Sequence, residues 1–419
     1  MISGFDINRI SLYDNFHSNF DSDSPMVENN KEALKARLYT IFLGLIAATP
    51  PLATDMYLAA IPRIADEWSV EKSTVNLSLI LWFVSFSMTL LIWGSLSDRF
   101  GRRPVLLSGL IGFVVSSIFC AFSNLIWQLI ASRVIQGISA AGISSMVMAI
   151  ARDRFEGKQR QKILAWIGII LGIAPMVAPS LGAAFLKYAN WRFIFASQAI
   201  LASISLLMAT IFYKETALQL ETGGLASVIR RYIRLSKNTN YVLTNMAAGI
   251  LNAPFLGFIA FSASAYIVHF GMSEQRFALI FSANAVCSVL GSSLCIRLIR
   301  NHGEYKLITV TFIGCLFGGL ILLFTGGLHW FMFASGMGFF SFFFGMSRPL
   351  VNHMILEQVD QDIGSASSGI ICYQFIVGAI GMAVSTHEWS HPFRVFGIIA
   401  ASCPLAVLSV WPFLYRRIK

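Results

Sequence analysis

The chain has 419 residues, of which 56% are apolar and only 12% charged, and its 35 phenylalanines outnumber its 31 Lys and Arg. An ordinary soluble domain carries about 25% charged residues, so charge is too scarce here to cover a water-exposed surface, and a single-core soluble fold is excluded. Twelve membrane helices of ~20 residues would use roughly 240 positions and leave the rest for loops and tails, the arithmetic of a polytopic membrane protein.

Residues 1–37 are polar, rich in Asp, Asn and Ser, and lack a signal-peptide pattern. They are expected to form a cytoplasmic tail without fixed structure. Met26, ahead of a short charged stretch, is an equally good translation start. Apolar segments follow at about 38–61, 75–96, 104–122, 125–150, 163–186, 192–213, 241–268, 277–298, 306–326, 329–351, 364–386 and 393–415. The polar stretch 214–240 divides these twelve spans into halves, 38–213 and 241–415, and leaves 416–419 as a short C-terminal end. Lys and Arg follow the same division: 23 of the 31 fall in the termini and the loops on their side, and six on the other side. Basic residues stay in the cytoplasm, so both termini are expected there. The net charge of +10 thus describes topology and does not point to nucleic acid. The six cysteines all lie inside apolar segments, spaced neither as a metal site nor as a disulfide framework. A faint repeat relates Gly94–Arg103, after span two, to Gly291–Gly303, after span eight, at an offset of about 200 residues.

Several motifs lie in order along this frame. Gly94-Ser-Leu-Ser-Asp98-Arg99-Phe-Gly101-Arg102-Arg103-Pro104 resembles the signature G-x-L-x-D-R-x-G-R-R/K of the major facilitator superfamily, in its expected loop. Arg133-Val-Ile-Gln136-Gly137 resembles the span-four motif of that superfamily's drug/proton antiporters with twelve spans. Gly168, Gly172, Pro175, Pro179 and Gly182 resemble the antiporter motif of span five. Thr54-Asp55-Met56-Tyr57-Leu58 with Pro62, Arg152-Asp153 and Gly364–Ser368 are similar to the bicyclomycin and chloramphenicol resistance (Bcr/CflA) exporters. The resemblance covers about residues 38–415. It implies an all-α fold of twelve helices in two six-helix halves, working as a monomer in a bacterial inner membrane without a cofactor. It also implies proton-coupled efflux of drug-like or other small amphipathic molecules by alternating access. Some antiporters of this branch carry two acidic residues in span one, whereas this chain has only Asp55. The alternatives are a transporter of an endogenous metabolite and a membrane sensor that moves nothing.

Asp55 and Arg133 are the charges inside the apolar spans that demand a reason, since a mid-membrane charge costs about 2.5–3.5 kcal/mol even on a mild scale. At 1.5 Å per residue both lie roughly 10–12 Å below the same surface. They are therefore expected to pair, with Asp55 exchanging the coupling proton. Asp98 is expected to face the N-terminus of span eleven, where unsatisfied N–H groups favour an anion. Arg99, Arg102 and Arg103 are expected on Asp153 or on lipid headgroups, with Gly94 and Gly101 making the tight turn. The span-five glycines and prolines predict a bent, closely packed helix. Met56, Tyr57, Gln136, Asn252, Phe255, Tyr373 and Gln374 are candidate substrate contacts, and Arg348 is expected to snorkel towards the cytoplasmic surface. His387-Glu-Trp-Ser-His391 matches the zinc-protease pattern H-E-x-x-H, but it lies in a short turn closed by Pro392, so no metal site is expected. No phosphate-binding loop of the G-x-x-x-x-G-K-S/T kind occurs, so an ion gradient is the expected energy source.

Overall fold

A computed structural model describes residues 26–217, 225–299 and 301–418. Of the tail 1–37, for which the composition predicts no fixed structure, residues 1–25 lie outside the described residues, as do 218–224 of the central loop, whereas 26–37 are helical, continuous with the apolar run that follows them. The described residues up to Ile41 belong to a first unit and form the first turns of helix Met26–Asp55. Everything below concerns the second unit, Phe42–Lys419. Among the described residues there are helices and no strands, and twelve spans are long and apolar enough to cross a membrane.

Spans two to six are Lys72–Phe100, Arg102–Ala121, Ile126–Arg154, Gly157–Tyr188 and Trp191–Phe212, and spans eight to twelve are Glu274–Leu298, Glu304–Thr325, Trp330–Leu356, Ile363–Thr386 and Pro392–Ile418. Span one, Leu38–Trp68, and span seven, Thr239–His269, are interrupted near their middles. In span one the helix that carries Pro50 and Pro51 ends at Asp55, a turn follows at Met56 and Tyr57, and helix resumes at Ile61 with Pro62 in its first turn. Proline there costs nothing, because its missing N–H would have had no helical partner. Span seven has the same plan: Thr239–Gly249, a turn, and Asn252–Ala263 with Pro254 near its start.

The two halves repeat one packing scheme. Span two lies on four, three on four and three on six; correspondingly, eight lies on ten, nine on ten and nine on twelve. The interruption of span one rests on span five as span seven rests on span eleven. Between the halves, span two packs on eleven and span five on eight. Phe375 of span eleven stands against Phe83 and Phe86 of span two, with ring centroids 5.4 and 5.6 Å away. Large apolar side chains on the outer surface, among them Phe119, Trp127, Phe324 and Phe413, are exposed as lipid-facing residues are. A short amphipathic helix, Leu225–Lys237, precedes span seven.

Candidate functional site

The interruption of span one leaves the last carbonyls of its first helix without partners in the next turn. Arg133, from span four, uses one of them: its guanidinium donates to the Ala53 carbonyl at 3.2 Å and to Gln136 on its own helix. Gln136 in turn donates to Ser117 of span three at 2.7 Å and to Gln198 of span six at 3.1 Å. The rings of Tyr57, Trp82 and Phe195 stand 5.0, 5.5 and 5.8 Å from the guanidinium carbon. Tyr57 is fixed by a 2.8 Å hydrogen bond with Ser78. Arg133 is wholly enclosed, and among the described residues its Nε and Nη2 have no hydrogen-bond partner. The three rings around the guanidinium hold the cation electrostatically.

The expected Asp55–Arg133 pair is not formed. Asp55, 6% exposed, accepts from Thr54 Oγ1 at 2.9 Å, and among the described residues no basic side chain is within ion-pair distance of it. Equal depth fixes height in the membrane but not azimuth: Arg133 meets the backbone two residues before Asp55 and not the carboxylate. Met56 and Tyr57 are fully closed off, so as substrate contacts they would need the halves to move.

The second half carries a matching cluster. Arg348 Nη1 donates to Gln374 of span eleven at 2.6 Å and to Asn252, at the restart of span seven, at 3.2 Å. Gln374 donates to Asn352 at 3.2 Å, and Asn252 to the Gly249 carbonyl at 2.8 Å. Phe255 stacks on Phe344 at 4.4 Å, and Tyr373 donates to the Met246 carbonyl at 3.2 Å. Arg348 thus points into the protein and does not snorkel. The structure gathers Asn252, Gln374 and, one contact further, Phe255 around a cation that hydropathy alone assigned to the surface.

The loop between spans two and three forms a second site. Arg102 holds Asp98 and, at 2.8 Å, Asp153 in the last turn of span four, and also donates to Ser97. Asp98 therefore faces Arg102 and not span eleven. The acid at the start of span eleven is Asp362, held by Arg231 at 4.0 Å and Arg234 at 3.4 Å from the linker helix. Arg99 lies over the Phe100 ring, and Arg103 reaches the Thr210 carbonyl. Of the two expected turn glycines only Gly101 turns the chain, with φ +95°; Gly94 is inside span two. A residue that the sequence reading missed completes the site. Glu215, just after span six, accepts from the backbone N–H of both Arg102 and Arg103 at 2.9 Å, capping the N-terminus of span three. A Cβ on residue 101 would fall 2.5 Å from its Oε2. Partial burial acts to raise the Glu215 carboxyl, but four backbone N–H donors outweigh it and hold the group below the usual glutamate range. Its partners are main-chain atoms, so no pairing of side-chain types could have announced it.

In span five the motif divides by position. A Cβ on Gly182 would strike the Met56 carbonyl in the span-one interruption, Gly172 has ordinary contact with Val289 of span eight, and Gly168 faces open space. Pro175 and Pro179 lie within the helix, which continues unbroken from Gly157 to Tyr188. At the end of the molecule remote from the termini, Arg63 pairs with Glu274 of span eight at 2.8 Å and donates to the Leu186 carbonyl at 2.9 Å.

Two six-helix halves around paired polar clusters define a membrane transporter, and comparison with known proteins agrees. Residues 43–386 match the Major Facilitator Superfamily, and the chain belongs to it. It is 30% identical to an uncharacterized MFS-type transporter, YdgK, of Bacillus subtilis, over 83% of this chain and 88% of that one. It is 25% identical to a bicyclomycin resistance protein homolog of Haemophilus influenzae, over 91% and 97% of the two chains. The multidrug transporter MdfA of Escherichia coli is also 25% identical, over 90% and 94%. Its fold matches a D-xylose–proton symporter with TM-score 0.69 at 16% identity, covering 89% and 97% of the chains. It matches the nucleoside transporter NupG with TM-score 0.71 at 12% identity, covering 90% and 99%.

Proposed function

We propose that this transporter exports drug-like or other small amphipathic molecules in exchange for protons, by alternating access between its halves in a bacterial inner membrane, with both termini cytoplasmic. The observation that carries the reading is Asp55: a carboxylate 6% exposed at a break in span one, with a hydroxyl as its hydrogen-bond partner and no counter-cation among the described residues. A buried carboxylate in that setting is costly as an anion. Its protonation is therefore tied to whether water or a cationic substrate reaches the site. The names of the relatives support drugs as cargo, and the 23-to-six division of basic residues supports the orientation.

The test is uptake of a labelled cationic drug into inside-out vesicles with and without a proton gradient. Wild type is expected to accumulate the drug only with the gradient, and Asp55→Asn to lose accumulation while still equilibrating the drug downhill. Undiminished uphill transport by Asp55→Asn would remove it from the coupling step. The amide-rich cluster of Arg348, Asn252, Asn352 and Gln374 favours one second reading, an endogenous metabolite with a carboxylate or other polar group. Competition by amino acids and short peptides in the same vesicles separates the two.

A further inference from the structure

The linker helix Leu225–Lys237 contains four basic residues, Arg230, Arg231, Arg234 and Lys237, and no acidic one. Its two sides differ in kind. Val228, Arg231, Tyr232 and Leu235 turn towards the protein, and Leu235 is only 5% exposed. Tyr232 donates to the Leu91 carbonyl of span two at 3.2 Å and also touches Ser365 and Ser368 of span eleven. Burial beneath the helix pushes the Tyr232 phenol up to about 12. The opposite side presents Ile229, Arg230, Ile233, Arg234 and Lys237, which share one helical face at three- and four-residue spacing. Ile229 and Ile233 are 53% and 49% exposed there, and the Arg234 side chain 65%.

The height of this face follows from its anchor. From Leu91 to Phe100, where span two meets the charged loop, is ~13 Å of helix. The anchor therefore lies below the charged end of the spans, near the boundary of headgroups and acyl chains. Water alone offers nothing to two neighbouring isoleucines. Hydrocarbon alone does not suit a face that also carries basic side chains. A basic and apolar helical face lying along the bilayer is suited to anionic phospholipid, with isoleucines among the upper acyl carbons and guanidinium groups on phosphate oxygens.

We propose that this outer face of the linker helix is a binding surface for anionic phospholipid headgroups, so that lipid holds the strap that touches both halves of the transporter. The proposal does not depend on the identity of the cargo. Binding is read by native mass spectrometry of the full-length protein in micelles with equal phosphatidylglycerol and phosphatidylcholine. Wild type is expected to retain phosphatidylglycerol preferentially, and R230Q/R234Q/K237Q to lose affinity for it by roughly fivefold per charge removed. R230K/R234K, which keeps the charge, is expected to retain it. Because Arg234 also meets Asp362, the double variant R230Q/K237Q leaves that contact intact and is expected to show a smaller loss in the same direction. K158Q/R160Q/K162Q removes as much charge from the first turns of span five and is expected to keep the preference. Equal losses from the two triple variants, or unchanged binding by R230Q/R234Q/K237Q, would overturn the proposal. So would full displacement of the lipid by millimolar glycerol phosphate, which would assign the face to free phosphate.

Discussion

Arg133 and Arg348 do corresponding tasks in the two halves with different surroundings. Arg133 is sealed by three aromatic rings, whereas Arg348 is held by amides and touches one ring, Phe344, at 5.5 Å. Lysine cannot reproduce the planar fork that spans Ala53 and Gln136. Arg133→Lys is expected to lower stability by about 1–3 kcal/mol, seen as a lower unfolding temperature in detergent, and to lower transport further than that loss of folded protein explains. The intramembrane charge at Arg133 was legible because an apolar run excludes other reasons for it. Its partners were not, because helical rise gives depth alone. Arg348 was misplaced because hydropathy ends span ten near residue 351, whereas the helix continues to Leu356 and puts the side chain a turn or more further inside.

At the level of elements, the span-five motif is a packing device of uneven strength. Gly182→Ala would force the span-one interruption aside and is expected to cost about 1–3 kcal/mol, while Gly168→Ala is expected to leave the unfolding temperature unchanged. Equal effects would show that the close approach to Met56 is relieved by motion of the helix. The cap on span three has a pH signature. A carboxylate held below its unfolded value adds stability that is fully present above that value and lost as pH falls through the folded one. Wild type is therefore expected to lose the contribution of the cap only below about pH 4.3, the ordinary glutamate value. Glu215→Gln should be less stable at pH 7 and flatter below pH 5, in thermal unfolding measured across that range. The helices themselves were legible almost throughout, because twelve long apolar runs leave little choice. The interruptions at residues 56–57 and 250–251 were not marked by hydropathy, which stays high through both.

For the whole molecule, closure at the end remote from the termini is tied by Arg63 and Glu274, residues of opposite halves, with side chains 45% and 18% exposed. Such a pair is worth no more than about 1 kcal/mol, but that is enough to shift a two-state equilibrium roughly fivefold. Arg63→Glu is expected to raise the share of molecules open at that end by up to about that factor, read as longer distances between spin labels on the ends of spans five and eight. The swap Arg63→Glu with Glu274→Arg should restore closure. Failure of the swap to do so would mean that the Arg63 contact with the Leu186 carbonyl matters more than the charge. Glu215 has a consequence of another sort, for where this chain tolerates being cut. It lies beyond the sixth span yet belongs mechanically to the third, so the first half is complete only when its sequence runs past Glu215. Co-expressed pieces 1–217 and 225–419 should assemble into a working transporter. Pieces 1–214 and 216–419, which keep the buried Tyr213 and lack the two amide contacts of Glu215, should assemble with a lower unfolding temperature, so the boundary of the first half is set by one carboxylate and not by the end of the last helix.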